Sequence, residues 1–361
     1  MQSQPRFVSL YSGAGGLDLG FVDADFEPVW AVDFDPDAVD TYRKNIGPHI
    51  RCGDIDEALD LDTLRALAPD VVVGGPPCQG FSVAGHMRPD DPRSKHVSRF
   101  MEIVGELSPR AFVMENVAAL ALNLRWRPLM EGLERDARGH GFTVERFVLD
   151  ASHYEVPQGR RRMFLVGIKD GVPREPQAVT DEAPPTVREA LAKLPPIGSP
   201  GNDSICTAKV TPARKPVLRK SPFAGMPFNG KGRPLDLERP SGTLPASMGG
   251  NRTPIVDQWQ LEGRAEESWI VGYHSRLMAG KPPVKRVPKR MRRLTVEEAA
   301  ALQTFPASWE FSGRRSAQYR QIGNAVPPKL AYHVALAIRA ALGLDQAVKP
   351  EAFAPRELVA A

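Results

Sequence analysis

Asp70-Val71-Val72-Val73-Gly74-Gly75-Pro76-Pro77-Cys78-Gln79-Gly80-Phe81-Ser82 runs three β-branched residues into an abrupt corner. Consecutive valines suit a strand buried on both faces, and two glycines followed by two prolines end it. The residue delivered just past the corner is Cys78. In an open α/β sheet, ligands bind outside the carboxyl ends of the strands, so a thiol held there by proline geometry would face a cleft as a candidate nucleophile. The competing reading is a buried, inert cysteine at the head of a loop.

Upstream, Phe7 to Tyr11 reads as a strand, and Ser12-Gly13-Ala14-Gly15-Gly16-Leu17-Asp18 as a glycine-rich turn into a helix. Such glycines let backbone approach a ligand, as in nucleotide-binding first turns, although a plain tight turn has the same composition. Asp18 stands where a dinucleotide fingerprint requires its third glycine, which argues against an NAD enzyme and leaves other adenosine-bearing cofactors open. A second strand, Pro28 to Val32, ends at Asp33, twenty positions after Gly13, where an acid can accept from ribose hydroxyls, and Phe34 could stack on a base. Asp35-Pro36 then opens a helix to about Asn45, so Asp35 reads as a cap. After a third short strand, Asp54 in Gly53-Asp54-Ile55 is either a turn residue or an acceptor for an adenine amino group.

Downstream, Val83 to Lys95 is polar and broken by proline, which predicts a loop able to cover the cleft. Arg99 to Leu107 has helical spacing, and Arg110 to Met114 is a fifth strand ending in Glu115-Asn116-Val117. A carboxyl and a thiol at the ends of neighbouring parallel strands would meet in space although 37 residues apart, as nucleophile and general acid must. Trp126 to Gly139 reads as a helix, and Phe142 to Leu149 and Arg162 to Ile168 as antiparallel neighbours. In Gln158-Gly159-Arg160-Arg161-Arg162, strand alternation puts Arg160 and Arg162 on one face.

From Gly171 the texture changes, because residues 171 to 240 hold 13 of the 35 prolines, which predicts a loop-rich second domain. Order resumes at Thr295, a capping-box N-cap with Glu298, opening a helix to about Gln303. Gln321 to Pro328 reads as a turn before a last amphipathic helix, Lys329 to Leu342. The bulk composition, 361 residues with 42% hydrophobic and 25% charged, suits a large and a smaller folded domain. Three widely spaced cysteines suggest neither disulfide framework nor metal site, and no membrane-length apolar run occurs, so the expectation is a cytoplasmic protein without metal. Net charge is only +4, but Lys281–Arg293 and Lys209–Leu235 each carry seven basic residues and no acid, two runs fit for phosphates.

Taken in order, Ser12-Gly13-Ala14-Gly15-Gly16, Asp33-Phe34, Gly53-Asp54-Ile55, Pro76-Pro77-Cys78-Gln79, Glu115-Asn116-Val117, Gln158-Gly159-Arg160-Arg161-Arg162, Arg239-Pro240 with Thr243, and Gly323-Asn324-Ala325-Val326-Pro327 closely resemble the S-adenosylmethionine-dependent DNA cytosine-C5 methyltransferases over nearly the whole chain. The resemblance implies an α/β fold: a Rossmann-like methyltransferase sheet with helices on both faces, plus a smaller loop-rich target-recognition domain. It divides the chain into 1–170 (catalytic and cofactor-binding), 171–292 (target recognition), 293–345 (a C-terminal return completing the catalytic domain) and 346–361 (a flexible tail). Cys78 would attack cytosine C6, Glu115, protonated, would donate to N3, and Arg162 with Arg160 would hold O2 and the carboxylate. Gly13, Ala14, Gly15, Gly16, Leu17, Asp33, Phe34, Asp54, Ile55, Pro77 and Asn324 would hold S-adenosyl-L-methionine, leaving S-adenosyl-L-homocysteine as product, with no metal. The implied partner is double-stranded DNA, whose target base must flip out of the stack to expose C6. The chain is expected to act as a monomer, with a restriction endonuclease acting on the same site as a partner.

Two rivals stay in view. Transfer-RNA cytosine methyltransferases keep Pro-Pro-Cys-Gln and Glu-Asn-Val, but their characteristic Cys-Phe-Thr stretch is absent here. A catalytically dead DNA-binding regulator is the non-enzymatic rival, and intact Cys78, Glu115 and Arg162 speak against it. The stretch from Arg252 to Arg292 is long for a minimal member.

Overall fold

The structure, a computed structural model, describes residues 4–77, 95–179 and 183–344. Cys78, the expected covering loop from Val83 and the tail from residue 346 lie outside the described residues. The chain divides into two compact units, one of residues 1–154, 160–179 and 325–361, the other of residues 155–159 and 180–324.

The first unit is built on one mixed sheet. Its strands are β1 (Arg6–Leu10), β2 (Glu27–Asp33), β3 (Ile50–Cys52), β4 (Val71–Gly74), β5 (Ala111–Val117), β6 (Thr143–Asp150) and, past a two-residue strand β7 (Gln158–Gly159) of the second unit, β8 (Arg161–Ile168). Spatial order is β3-β2-β1-β4-β5-β8-β6. Pairing is parallel from β3 across to β5, and β8 runs antiparallel to both β5 and β6. The valines of β4 are fully buried because helices cover both faces of a central strand. The core joins Val8, Leu10, Val72, Phe100, Phe112, Met114, Met163 and Leu165, and each such side chain removed from water contributes about 1.5–3 kcal/mol.

Local chemistry explains where the helices begin. Helix α1 (Gly16–Asp23) starts at Gly15 in the left-handed region, φ 84°. Helix α2 (Pro36–Asn45) carries its expected cap, Asp35 Oδ1 accepting the Asp37 N–H at 3.2 Å. Short helices α3 (Ile55–Ala58) and α4 (Leu61–Ala66) are likewise capped by Asp54 and Asp60. The helix expected from Arg99 starts earlier, as α5 (Lys95–Leu107), since Val97 joins the buried stripe of Phe100, Met101 and Val104. The C-terminal helix Pro328–Ala341 packs on α1, and the two backbones approach at Gly20, where any Cβ would collide with Ala331 and the Tyr332 N–H. At that helix, Arg339 donates to the Asp25 carbonyl at 3.0 Å and lies over the Phe26 ring.

The second unit is loop-rich. It holds a hairpin of Pro212–Val217 with Met226–Phe228, an antiparallel pair of Ile255–Asp257 with Met291–Arg293, and the helices Val187–Leu191, Gln258–Leu261, Trp269–Met278, Val296–Leu302 and Arg315–Asn324. Phe228, Trp269 and Tyr273 stack near-parallel, with the last two ring centroids 4.7 Å apart, over Ile255, Ile270 and Met291. Both bonds of the Thr295–Glu298 capping box are present. Residues 293–324, grouped from sequence with the C-terminal return, belong to this unit. The reason is polar: the Arg293 guanidinium donates to the carbonyls of Thr253, Ala208 and Asn229, and Thr295 Oγ1 to Asn202 at 2.6 Å. Gln321 to Asn324, expected as a turn, is instead the last turn of a helix whose Tyr319 donates to the Leu294 carbonyl. Among the described residues no helix is long and apolar enough to cross a membrane.

Substituting Gly20→Val should separate α1 from the C-terminal helix and destabilise the protein by about 1–3 kcal/mol. Thermal unfolding by circular dichroism reads this out, and an unchanged melting temperature would contradict the close approach.

Candidate active site

Strand β4 ends at Gly74, in register with Met114 of β5, so the corner Gly75-Pro76-Pro77 leaves the sheet beside Glu115. Strand β5 ends at Val117, so the strand-end triplet Glu115-Asn116-Val117 lies within it, paired with β8 through Glu115↔Phe164, Asn116↔Met163 and Val117↔Arg162. The Glu115 carboxyl lies against the corner, with Oε2 3.2 Å from the point a Cβ on Gly75 would occupy. Beside it, Asn116 uses both ends of its amide: Nδ2 donates to the Pro76 carbonyl at 3.0 Å, and Oδ1 accepts the Val117 N–H at 2.9 Å. The backbone that leads to Cys78 is thereby tied to β5.

Opposite, Arg162 Nε donates to Glu115 Oε1 at 2.9 Å, with 14% and 11% of the two side chains exposed. Burial pushes the Glu115 carboxyl above its ordinary range, and the Arg162 and Arg160 charges together with the Arg162 hydrogen bond pull the other way without cancelling it. The outcome is a buried acid disposed to hold its proton and already held by a cation. Arg160 is fully buried and donates from Nη2 to the Ala325 carbonyl at 2.9 Å, whereas Arg161 is exposed. The three arginines thus alternate as a strand requires.

At the carboxyl ends of β1 and β2, Gly13 (φ 56°) and Gly15 (φ 84°) bend the turn before α1. Ala14, Gly16 and Leu17 are buried. Asp33 spans this turn and the next, Oδ2 accepting the Gly13 N–H at 2.8 Å and Oδ1 the Asp35 N–H at 2.9 Å. Burial raises its pKa and those hydrogen bonds oppose the rise. Phe34 beside it is 70% exposed, an aromatic face turned to solvent at a strand end. Asp54 is an exposed helix cap, Oδ1 accepting the Asp56 N–H, and Ile55 after it is buried. Pro77 is half-buried at the corner, and Asn324 is the exposed last residue of its helix in the second unit.

Sequence reasoning treated Asp18 only as a missing glycine. It is fully buried under the turn, accepting from Ser9 Oγ at 2.8 Å and from the Tyr42 hydroxyl at 2.9 Å, and Tyr42 in turn lies 2.9 Å from His49 Nε2. The Tyr42 ring also abuts Gly15, 3.2 Å from where a Cβ would sit. The alternation of buried residues gave no signal for this chain, since a charged residue in the first turn of a helix ordinarily faces water.

Residues 5–340 match the family model of C-5 cytosine-specific DNA methylases. The chain belongs to that family. It is an enzyme that methylates DNA cytosine at C5, and its family implies use of S-adenosylmethionine. This methylase is 33% identical over 348 residues to the type II methyltransferase M1.HphI of Haemophilus parahaemolyticus, covering 92% of this chain and 86% of that protein. It is 32% identical over 349 residues to M.MthTI of Methanothermobacter thermautotrophicus, covering 92% and 96%. In fold it is similar to the Entamoeba histolytica methyltransferase EhMeth, with a TM-score of 0.66 at 15% identity, covering 94% of this chain and 99% of the other. The S. pombe Dnmt2 methyltransferase gives 0.64 at 16%, with the same coverage.

The methylase's basic runs are not all free to meet phosphates. In the second unit Arg290 pairs with buried Asp257 and lies over Trp259, Arg292 forks onto Glu298 at 2.6 and 2.7 Å, and Arg293 is committed to three carbonyls. Among the described residues no cluster of three His, Cys, Asp or Glu side chains could hold a metal ion.

Asp18 makes stability depend on pH. Burial raises its pKa from 3.8 to about 7, against the two hydroxyl hydrogen bonds, so the folded chain binds this proton more tightly than the unfolded one. Its contribution is therefore complete below about pH 4 and lost as pH rises through about 7. Melting temperatures of wild type and Asp18→Asn between pH 5 and 8 should diverge in slope, the variant being flatter; identical slopes would count against it.

Proposed function

We propose that the methylase acts on a flipped-out cytosine of double-stranded DNA through a covalent bond between Cys78 Sγ and cytosine C6. The observation that carries this reading is the buried Glu115–Arg162 pair set against the corner that delivers Cys78. Cytosine C5 is a poor nucleophile in the aromatic ring. Addition of the Cys78 thiolate to C6, with transfer of the Glu115 proton to N3, balances the new C–S bond and leaves an enamine nucleophilic at C5. The raised proton affinity of buried Glu115 suits a donor that must be protonated near neutral pH. The Arg162 guanidinium would then stabilise both the carboxylate left behind and the base's O2.

S-adenosylmethionine, when bound, supplies an electrophilic methyl group to the carbon so activated. After that, loss of the C5 proton, expulsion of the Cys78 thiolate and return of the N3 proton to the Glu115 carboxylate restore the ring. The residues at the ends of β1 and β2 fit such a cofactor: a left-handed glycine turn, a strand-end acid whose oxygens each retain a lone pair, and an exposed phenyl face. Gly13, Ala14, Gly15, Gly16 and Leu17 would line it, Asp33 would accept from the ribose, Phe34 would stack on adenine, and Asp54 with Ile55 and Pro77 would complete the site. A target inside a duplex hides C6, so flipping, at a few kcal/mol, precedes chemistry. The second unit would read the sequence, and the type II names of the relatives support a role in restriction-modification.

Incorporation of tritiated methyl into unmethylated genomic DNA and into tRNA, followed by bisulfite sequencing, tests the substrate and the position. Cys78→Ala should abolish transfer, and Glu115→Gln should lower it by about 100-fold or more; full activity in either variant would refute the adduct mechanism. Phe34→Ala should weaken S-adenosylmethionine binding by about ten-fold with kcat retained, measured by calorimetry, and an unchanged Kd would remove Phe34 from the cofactor site.

A further inference from the structure

Between β6 and β8 the chain leaves the first unit after Tyr154 and returns at Arg160. One side chain closes the neck of that excursion. Asp150, the last residue of β6, accepts at Oδ1 the Arg160 N–H at 3.2 Å, the Ser152 N–H at 3.1 Å and the Ser152 hydroxyl at 2.9 Å. The Ala151 N–H donates to the Arg160 carbonyl at 3.0 Å. The Arg160 peptide is thus held on both sides, and its fully buried guanidinium is anchored separately on the Ala325 carbonyl. Two residues on, Arg162 meets Glu115 at 2.9 Å.

We propose that Asp150 is a positioning residue for catalysis: it clips the Arg160 peptide so that β8 starts in the register that sets Arg162 against Glu115. The proposal rests on the reading of Glu115 and Arg162 given above. The ladder alone does not secure this end of β8. Its pairing partners Val117 and Asp150 are the last residues of their own strands, so the arginines sit where strands fray. The Asp150 side chain, with the Ala151 N–H on the Arg160 carbonyl, holds them there. Arg160 and Arg162 are the charged groups acting on Glu115, and Arg160 contributes through its field without a direct bond. Freeing the Arg160 backbone would let β8 shift, moving the Arg162 and Arg160 charges away from Glu115, weakening their field and letting Glu115 keep its proton to higher pH.

The test is methyl-transfer kinetics on unmethylated genomic DNA with Asp150→Ala and Asp150→Asn. Asp150→Ala should lower kcat by about 10–100-fold, the range a displacement of about 1 Å brings, leave the cofactor Kd unchanged, and move the alkaline limb of the kcat profile to higher pH. Asp150→Asn keeps the Oδ1 acceptor and should restore most of kcat. Wild-type kcat in Asp150→Ala, an Asn variant no better than Ala, or a fall in kcat with the alkaline limb unmoved would each overturn the proposal. If Asp150→Ala does not fold, amide exchange in the wild-type enzyme decides: an Arg160 N–H as protected as the centre of β8 supports the clip, and loop-like exchange overturns it. Full activity in Asp150→Ala beside an inactive Glu115→Gln removes only the clip, whereas an active Glu115→Gln removes the reading beneath it.

Discussion

A carboxyl buried beside a guanidinium is the constraint on which the rest of the first unit depends. Removing Glu115 and Arg162 from water is expensive unless each finds the other at hydrogen-bond distance, and the pair does so at 2.9 Å. That distance requires β8 to lie antiparallel next to β5, in the register Val117↔Arg162. Beyond that end, β8 continues in the same register through Met163, Phe164 and Leu165, all fully buried. A slip of one residue would turn Arg162 to the opposite face and leave Glu115 buried without its cation. The same carboxyl crowds any side chain at Gly75, whose Cβ would sit 3.2 Å from Oε2, so the corner and the acid shape each other.

Several polar residues hold geometry at the ends of strands, where hydrogen-bonded ladders run out. Asn116 ties the Pro76 carbonyl to β5, Asp33 joins the turns after β1 and β2, and Asp150 closes the neck before β8. Each satisfies backbone N–H or carbonyl groups that sheet pairing cannot reach. In an α/β protein these ends are also where the ligand cleft opens. Groups that hold the backbone therefore sit beside the cleft, and Asp33, which does so, keeps lone pairs free.

Much of this was legible in residue order because the signals were local. The Val71–Val73 run, the Asp35-Pro36 cap and the Thr295–Glu298 capping box each specify an element through residues a few positions apart. The ordered motifs likewise pointed to a cytosine-C5 methylase, and the family match agrees. Less legible were features set by distant partners. Gln321–Asn324 reads as a turn but is helical, because contacts with Ser312 and Leu294 hold that helix. The basic run up to Arg293 reads as a phosphate surface, yet three of its arginines face Asp257, Glu298 and backbone carbonyls.

The sequence by itself determined the elements, their order and the residue types available for chemistry, since capping, strand composition and motif spacing act over short range. Tertiary structure alone decided which charges are buried, because desolvation depends on everything packed around a group and not on its neighbours in the chain. It made Glu115 a carboxyl whose proton affinity burial raises, Asp18 the centre of a hidden Ser9–Tyr42–His49 network, and Asp150 the clasp on Arg160. Neither Asp18 nor Asp150 differs in sequence from an ordinary surface carboxylate. Low dielectric and fixed hydrogen-bond partners set them apart.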